Sequence, residues 1–175
     1  RRPHLAQIPH ALGLGWTGRE CLPVRTQQTG RVRAASGGSD HTLFLDEDGS
    51  VWASGLNDQG QLGDGPYLGT DTAVKVLGIE DAAFVSAGGL FSTALREDGT
   101  VWTWGSNGTG ELGQGSLDFS SPLPGQVLGI STACGTAAGW AHGVALLTDG
   151  TVRALVANWH GQLGVGNTLN QWAPV

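Results

Sequence analysis

Five histidines, two cysteines and several acidic runs are the side chains of this chain that could carry catalysis or bind a metal. Ser39-Asp40-His41 contains the residue types of a nucleophilic triad. Triad members meet from separate elements, however, and neighbours on one strand point to opposite faces, so adjacency argues against that chemistry. His4, His10, His41, His142 and His160 show no His-x-x-x-His spacing, and Cys21 and Cys134 are too far apart for a paired zinc motif. Asp46-Glu47-Asp48-Gly49 has the opening of a calcium loop without its twelve-residue pattern, and a hairpin explains its last two residues. Gly63 and Gly65 do not open a helix and so make no phosphate cradle. The expectation is a non-enzymatic protein with no catalytic residue, no metal and no cofactor. The two cysteines read as free thiols, which leans weakly towards a reducing, intracellular compartment.

What organises the chain is a repeat. Asp48-Gly49-Ser50-Val51-Trp52 returns as Asp98-Gly99-Thr100-Val101-Trp102 and as Asp149-Gly150-Thr151-Val152-Arg153. A second phrase follows each: Asn57-x-x-Gly60-Gln61-Leu62-Gly63, then Asn107-x-x-Gly110-Glu111-Leu112-Gly113, then Asn158-x-x-Gly161-Gln162-Leu163-Gly164. Leu12-Gly13 extends the register towards the start, which places units at about 12–62, 62–112 and 112–163, with a further partial blade at the C-terminus. A period of about fifty residues built from short strands signals a propeller or array, whose units cannot bury their own apolar faces. His41 and His142 hold equivalent places in two units, which favours a structural role for both. The chain lacks methionine, even at position 1, and reads as a processed product, an internal fragment or part of something longer.

Composition agrees. Thirty glycines in 175 residues recur at set places, marking turns and not disorder. A net charge of −6 with one lysine argues against electrostatic binding to nucleic acid or an anionic membrane. No apolar run is long enough for a membrane-spanning helix.

In the second unit, 82–86, 91–96 and 101–104 read as strands. Glu97-Asp98-Gly99-Thr100 is the hairpin turn, and 126–128 reads as a fourth strand. Gly49, Gly99 and Gly150 supply positive φ at these turns. Asn57, Asn107 and Asn158 are expected to bond the amides of their own glycine-rich loops. Leu12, Leu62, Leu112 and Leu163 are expected to plug the gap between neighbouring blades.

These ordered phrases, from Gly37-Gly38-Ser39-Asp40-His41 through Gly65 and again through Gly115 and Gly166, resemble the regulator-of-chromosome-condensation repeat. The resemblance covers nearly the whole chain from about Leu12. It implies an all-β fold: a β-propeller of four-stranded antiparallel blades, here a partial ring of about three and a half of seven blades. Arg153, Leu155 and Phe91 depart from the consensus of the other copies. Such a partial ring leaves open faces, to be covered by the rest of the propeller in a longer chain, by a second copy or by a host assembly.

Function is then expected in what does not repeat. The loops at 16–22, 66–72, 116–125 and 167–172 differ in every unit. Tyr67, Phe119 and Trp172 are aromatic anchors in them, and Trp159-His160 replaces the small or polar pairs Asp58-Gln59 and Gly108-Thr109. These five residues are the candidate partner-binding positions, with local packing against a neighbouring blade as the plain alternative. The expected role is a protein–protein interaction scaffold. The resemblance also implies an alternative, guanine-nucleotide exchange on a small GTPase, as in the founding member. More distant readings are a secreted inhibitor or adhesin, or an ultraviolet photoreceptor. Gly139-Trp140-Ala141-His142 is similar to a segment that light-sensing members repeat in successive blades with arginine in place of Ala141; here it occurs once.

Overall fold

The computed structural model describes residues 30–170 and 173–175. Leu12, Cys21 and Trp172 lie outside the described residues. Eleven strands form three sheets, and no helix occurs among the described residues. The first sheet joins β1 (Val32–Gly37), β2 (His41–Asp46), β3 (Val51–Gly55) and β4 (Thr70–Lys75) in that order. The second joins β5 (Ala82–Ala87), β6 (Phe91–Arg96), β7 (Val101–Ser106) and β8 (Ser120–Gln126). The third joins β9 (Ala133–Ala138), β10 (His142–Leu147) and β11 (Val152–Val156). Every pairing is antiparallel between consecutive strands. β5 packs on β1 and β2, and β9 packs on β5 and β6, so the first strand of each sheet lies nearest the common axis. This is the arrangement of propeller blades.

The Asp-Gly pairs close the hairpins in the same way three times. Asp48, Asp98 and Asp149 accept the N–H of Ser50, Thr100 and Thr151 at 2.9, 2.9 and 2.8 Å. The following glycines take φ of +82°, +81° and +84°, which a side chain would resist.

The fourth strand differs from the expectation. Gln126–Leu128 was the expected span, but β8 runs from Ser120 to Gln126, so it shares only Gln126 with that span and otherwise lies in the segment expected as a variable loop. Pro122 and Pro124 hide it from a β-propensity reading. An outer-edge strand tolerates proline, because its outward N–H groups need no ladder partner. Val127 lies just beyond the strand, buried, and its N–H still reaches Val101 O at 2.9 Å. At the end of the chain Val175 exchanges backbone hydrogen bonds with Ala154, at 2.9 and 3.2 Å. It occupies the place on the third sheet that Val74 holds beside Ala53 on the first.

Two seams hold the blades together. In the first, Leu62, Val76 and Ile79 of blade one pack with Val85, Ala94 and Trp104 of blade two. The Gln61 carbonyl accepts the Trp104 Nε1–H at 2.9 Å and the Ser92 hydroxyl at 2.8 Å. In the second seam, Leu95, Val101, Val127 and Ile130 pack with Ala133, Ala145, Leu147 and Leu155. Ser36 and Ser86 each accept an N–H from the next blade, Ala87 and Ala138, both at 3.0 Å. Near the axis the backbones nearly touch. A Cβ on Gly38 would stand 2.5 Å from the Gly88 carbonyl oxygen, and one on Gly88 would stand 2.7 Å from that of Gly139.

The third blade shows an uncovered flank. Leu45 and Leu95 are buried at the seams, whereas the equivalent Leu146 is 43% exposed. Val51 is fully buried, and its equivalent Val152 is 59% exposed.

Candidate functional site

Strand direction sorts every loop onto one of two faces. The ends of β1 and β3 and the starts of β2 and β4 lie together, as the pairing of His41 with Gly55 and of Gly55 with Thr70 shows. The β1–β2 and β3–β4 connections, and their counterparts in the other blades, therefore share one face, here termed the loop face. The Asp-Gly hairpins and the links from one blade to the next share the other, the hairpin face.

The long loops of the loop face are built around asparagine. Asn57 Oδ1 accepts the Leu62 N–H at 2.9 Å, while its Nδ2 donates to the carbonyls of Pro66 at 2.9 Å and Leu68 at 3.3 Å. Asn107 repeats this with Leu112 N–H at 3.2 Å, Ser116 O at 3.1 Å and Asp118 O at 2.7 Å. Asn158 does so with Leu163 N–H at 3.0 Å, Asn167 O at 2.8 Å and Leu169 O at 3.1 Å. All three asparagines are buried. Each staples the two ends of its loop, with the recurring leucine between them buried and the residues around the stapled carbonyls, such as Leu68, Leu117 and Leu169, exposed.

Four of the five candidate positions lie on this face. Phe119 is 81% exposed just before β8. Tyr67 is half-exposed, and its hydroxyl lies 3.4 Å from Ser120 Oγ of the neighbouring blade, so it combines a local contact with an open ring edge. Trp159 is half-exposed and His160 exposed in the loop after β11, where the His160 N–H donates to Gln162 Oε1 at 2.8 Å. Further apolar groups stand beside them: Leu68, Leu117 and Leu169 are exposed, and Trp140 is 69% exposed in the β9–β10 turn. The Trp140 carbonyl accepts the Gly89 N–H at 2.9 Å, and a Cβ on Gly89 would meet the indole Cδ1 at 3.0 Å. The three leucines carried a legible signal, because each lies ten or eleven residues after its asparagine, where the staple holds the backbone.

The histidines of the repeat do other work. His41 is buried, with Nε2 at 2.9 Å from Ser92 Oγ. Ser92 gives its one proton to the Gln61 carbonyl, so its oxygen accepts from His41 Nε2–H. Burial pulls the imidazole down to about 4 from its ordinary 6.5, against the opposing charge of Asp40. The rings of His41, Phe91 and His142 lie against Gly38, Gly88 and Gly139, which have no side chain to obstruct them. The position therefore selects a flat ring by shape. Asp46-Glu47-Asp48 is taken up by the hairpin, with Glu47 3.5 Å from Arg31. Among the described residues no three His, Cys, Asp or Glu side chains converge on a metal-sized site. Cys134 is free and exposed on β9.

Three stacked, four-strand-type units with asparagine-stapled loops define a repeat-built β-propeller. Two family descriptions, both "Regulator of chromosome condensation (RCC1) repeat", match residues 32–61 and 83–111 and residues 98–146. Together they span more than half of the chain, and the chain belongs to the regulator-of-chromosome-condensation repeat family. Among curated proteins it is similar to the ultraviolet-B receptor UVR8 of Arabidopsis thaliana, with 32% identity over 169 residues, 94% of this chain and 38% of that protein. Among solved structures it is similar to human WBSCR16, with a TM-score of 0.74 and 24% identity, over 87% of this chain and 39% of that one. It is also similar to Prp20p of Saccharomyces cerevisiae, described with its binding to Gsp1p and histones, with a TM-score of 0.72 and 20% identity over 83% of this chain and 38% of that one. A structure of Kap60 bound to yeast RCC1 (Prp20) matches at a TM-score of 0.65 and 27% identity, over 76% of this chain and 31% of that one. The chain thus spans about two fifths or less of the length of these relatives.

Proposed function

We propose that the chain is a non-enzymatic protein–protein interaction scaffold that engages its partner through the loop face. The supporting observation is the gathering on that face of the exposed aromatic rings Tyr67, Phe119, Trp140 and Trp159, all on loops whose frames repeat and whose outward residues do not. That the yeast relative is described with Gsp1p, histones and Kap60 supports a protein-binding reading. The test is site-specific photo-crosslinking in extract of the cells that express the protein. A photoreactive residue at Phe119 or Trp140 is expected to capture discrete protein species, and one at Leu128 on the hairpin face is not. Equal capture from both faces, or none from either, would overturn the assignment.

The second reading is nucleotide exchange on a small GTPase, favoured by the fold shared with Prp20p and that protein's described binding to Gsp1p. Its measurement is release of a fluorescent guanine nucleotide across a panel of small GTPases, and acceleration of any one of them selects this reading. The light-sensing reading draws on the identity to the ultraviolet-B receptor. Ala141 beside a single exposed Trp140 supports it poorly, and its test is a change in association state under ultraviolet light.

A further inference from the structure

Both faces carry carboxylates, but the described cations keep to one of them. Among the described residues every lysine and arginine (Arg31, Arg33, Lys75, Arg96 and Arg153) lies at the hairpin end of its strand or just beyond it. The three ion pairs among the described residues are there: Arg31–Glu47 at 3.5 Å, Lys75–Glu80 at 3.6 Å and Arg96–Asp81 at 2.5 Å. The loop face carries Asp40, Asp58, Asp64 and Asp118 with no lysine or arginine among the described residues. Asp58, Asp64 and Asp118 accept hydrogen bonds from the neutral groups of Gln61, Asn57 and Ser116.

These acids also break the repeat. Asp40 stands where the other units have Leu90 and Ala141, and Asp58 where they have Gly108 and Trp159. Asp64 corresponds to Gln114 and Val165, and Asp118 to Leu68 and Leu169. The hairpin aspartates recur because the turn needs them; no such need explains the loop-face acids. They are interleaved with exposed aromatic rings, whose faces attract cations. At the axis, Gly37–Ser39, Ala87–Gly89 and Ala138–Trp140 line a shallow open depression almost free of side chains other than the Trp140 indole, and exposed Asp40 follows Ser39 in the chain.

We propose that the loop face is a docking surface for a lysine- and arginine-rich segment of a protein partner, held by its carboxylates and its exposed aromatic rings. This rests on the reading of the loop face as the interaction face. Nucleic acids and anionic membranes are repelled by the same carboxylates. A second copy is a poor occupant, because its hairpin face carries more acids than bases: Asp46, Glu47, Asp48, Glu80, Asp81, Glu97, Asp98 and Asp149 against the five cations.

The test is fluorescence anisotropy of the purified chain with a fluorescein-labelled peptide of alternating arginine and glycine, and with a matched glutamate–glycine peptide. The arginine peptide is expected to bind, weakening roughly tenfold as salt rises from low ionic strength to several hundred millimolar. The glutamate peptide is expected not to bind. D40N/D58N/D118N is expected to weaken binding roughly tenfold, and W140A/W159A about threefold or more. The hairpin-face variant E47Q/E80Q/E97Q is expected to stay within about twofold of the parent. Absence of binding, equal loss in the loop-face and hairpin-face charge variants, or no loss in either would overturn the proposal. Loop-face crosslinking that persists without peptide binding sinks the basic partner alone. Loss of both sinks the interaction face itself.

Discussion

Asn107 shows how much one side chain carries in this fold. It is buried and bonds Leu112 N–H, Ser116 O and Asp118 O at once. Asn107→Ala leaves these groups unsatisfied and is expected to lower stability by about 2–4 kcal/mol, read as a shift in the urea midpoint. Asn107→Asp keeps the acceptor but turns a carboxylate towards two carbonyls, so it is expected to be no better than alanine at neutral pH. His41 makes a second residue-scale prediction. Its folded pKa of about 4 lies below the ordinary 6.5, so the unfolded chain takes up the proton first as pH falls. Stability is therefore expected to drop by about 3 kcal/mol as pH falls from about 6.5 to about 4. His41→Phe, which places the Phe91 ring type at this position, is expected to remove that slope in urea titrations taken across the range. Recurrence at position 142 made the structural reading of His41 legible from sequence, but the hydrogen-bond chain through Ser92 to the Gln61 carbonyl was not, since three segments form it.

At the scale of elements, the two seams solve one packing problem differently. Trp104 fills the first and bonds Gln61 O, while Leu155 fills the equivalent place in the second. Trp104→Leu imports the second solution into a seam shaped for indole, and an expected cost of about 2–4 kcal/mol would appear in thermal or urea unfolding. Leu62→Ala, in the same seam, is expected to cost about 2–5 kcal/mol. Strands framed by Asp-Gly turns, such as β6 and β7, were plain in the sequence because turn chemistry and apolar alternation agree there. β8 was hidden because Ser120-Ser121-Pro122-Leu123-Pro124 carries neither signal: an outermost strand has one paired edge and little burial to enforce a pattern. The candidate aromatics were legible as interruptions of the repeat. Their union with Asp40, Asp58 and Asp118 on one face was not, because it depends on which strand ends meet.

At the scale of the molecule, the third blade offers Leu146 and Val152 to solvent at places its two predecessors seal. We expect the 175-residue chain by itself to associate through this flank. L146K/V152K is then expected to sediment with a lower average mass than the parent at the same concentration. Unchanged mass would mean that this flank does not drive association. The period readable in sequence runs from leucine to leucine and is out of phase with the blades, since 62–112 and 112–163 each take the fourth strand of one sheet and three strands of the next. That offset knits successive sheets into one continuous body. Curvature, finally, is decided where the missing methyl groups of Gly38 and Gly88 let main chains of adjacent units meet. A methyl inserted there would act as a wedge at the hub, forcing the main chains of adjacent units apart. Any circle completed from such units inherits its circumference from a pair of absent carbon atoms.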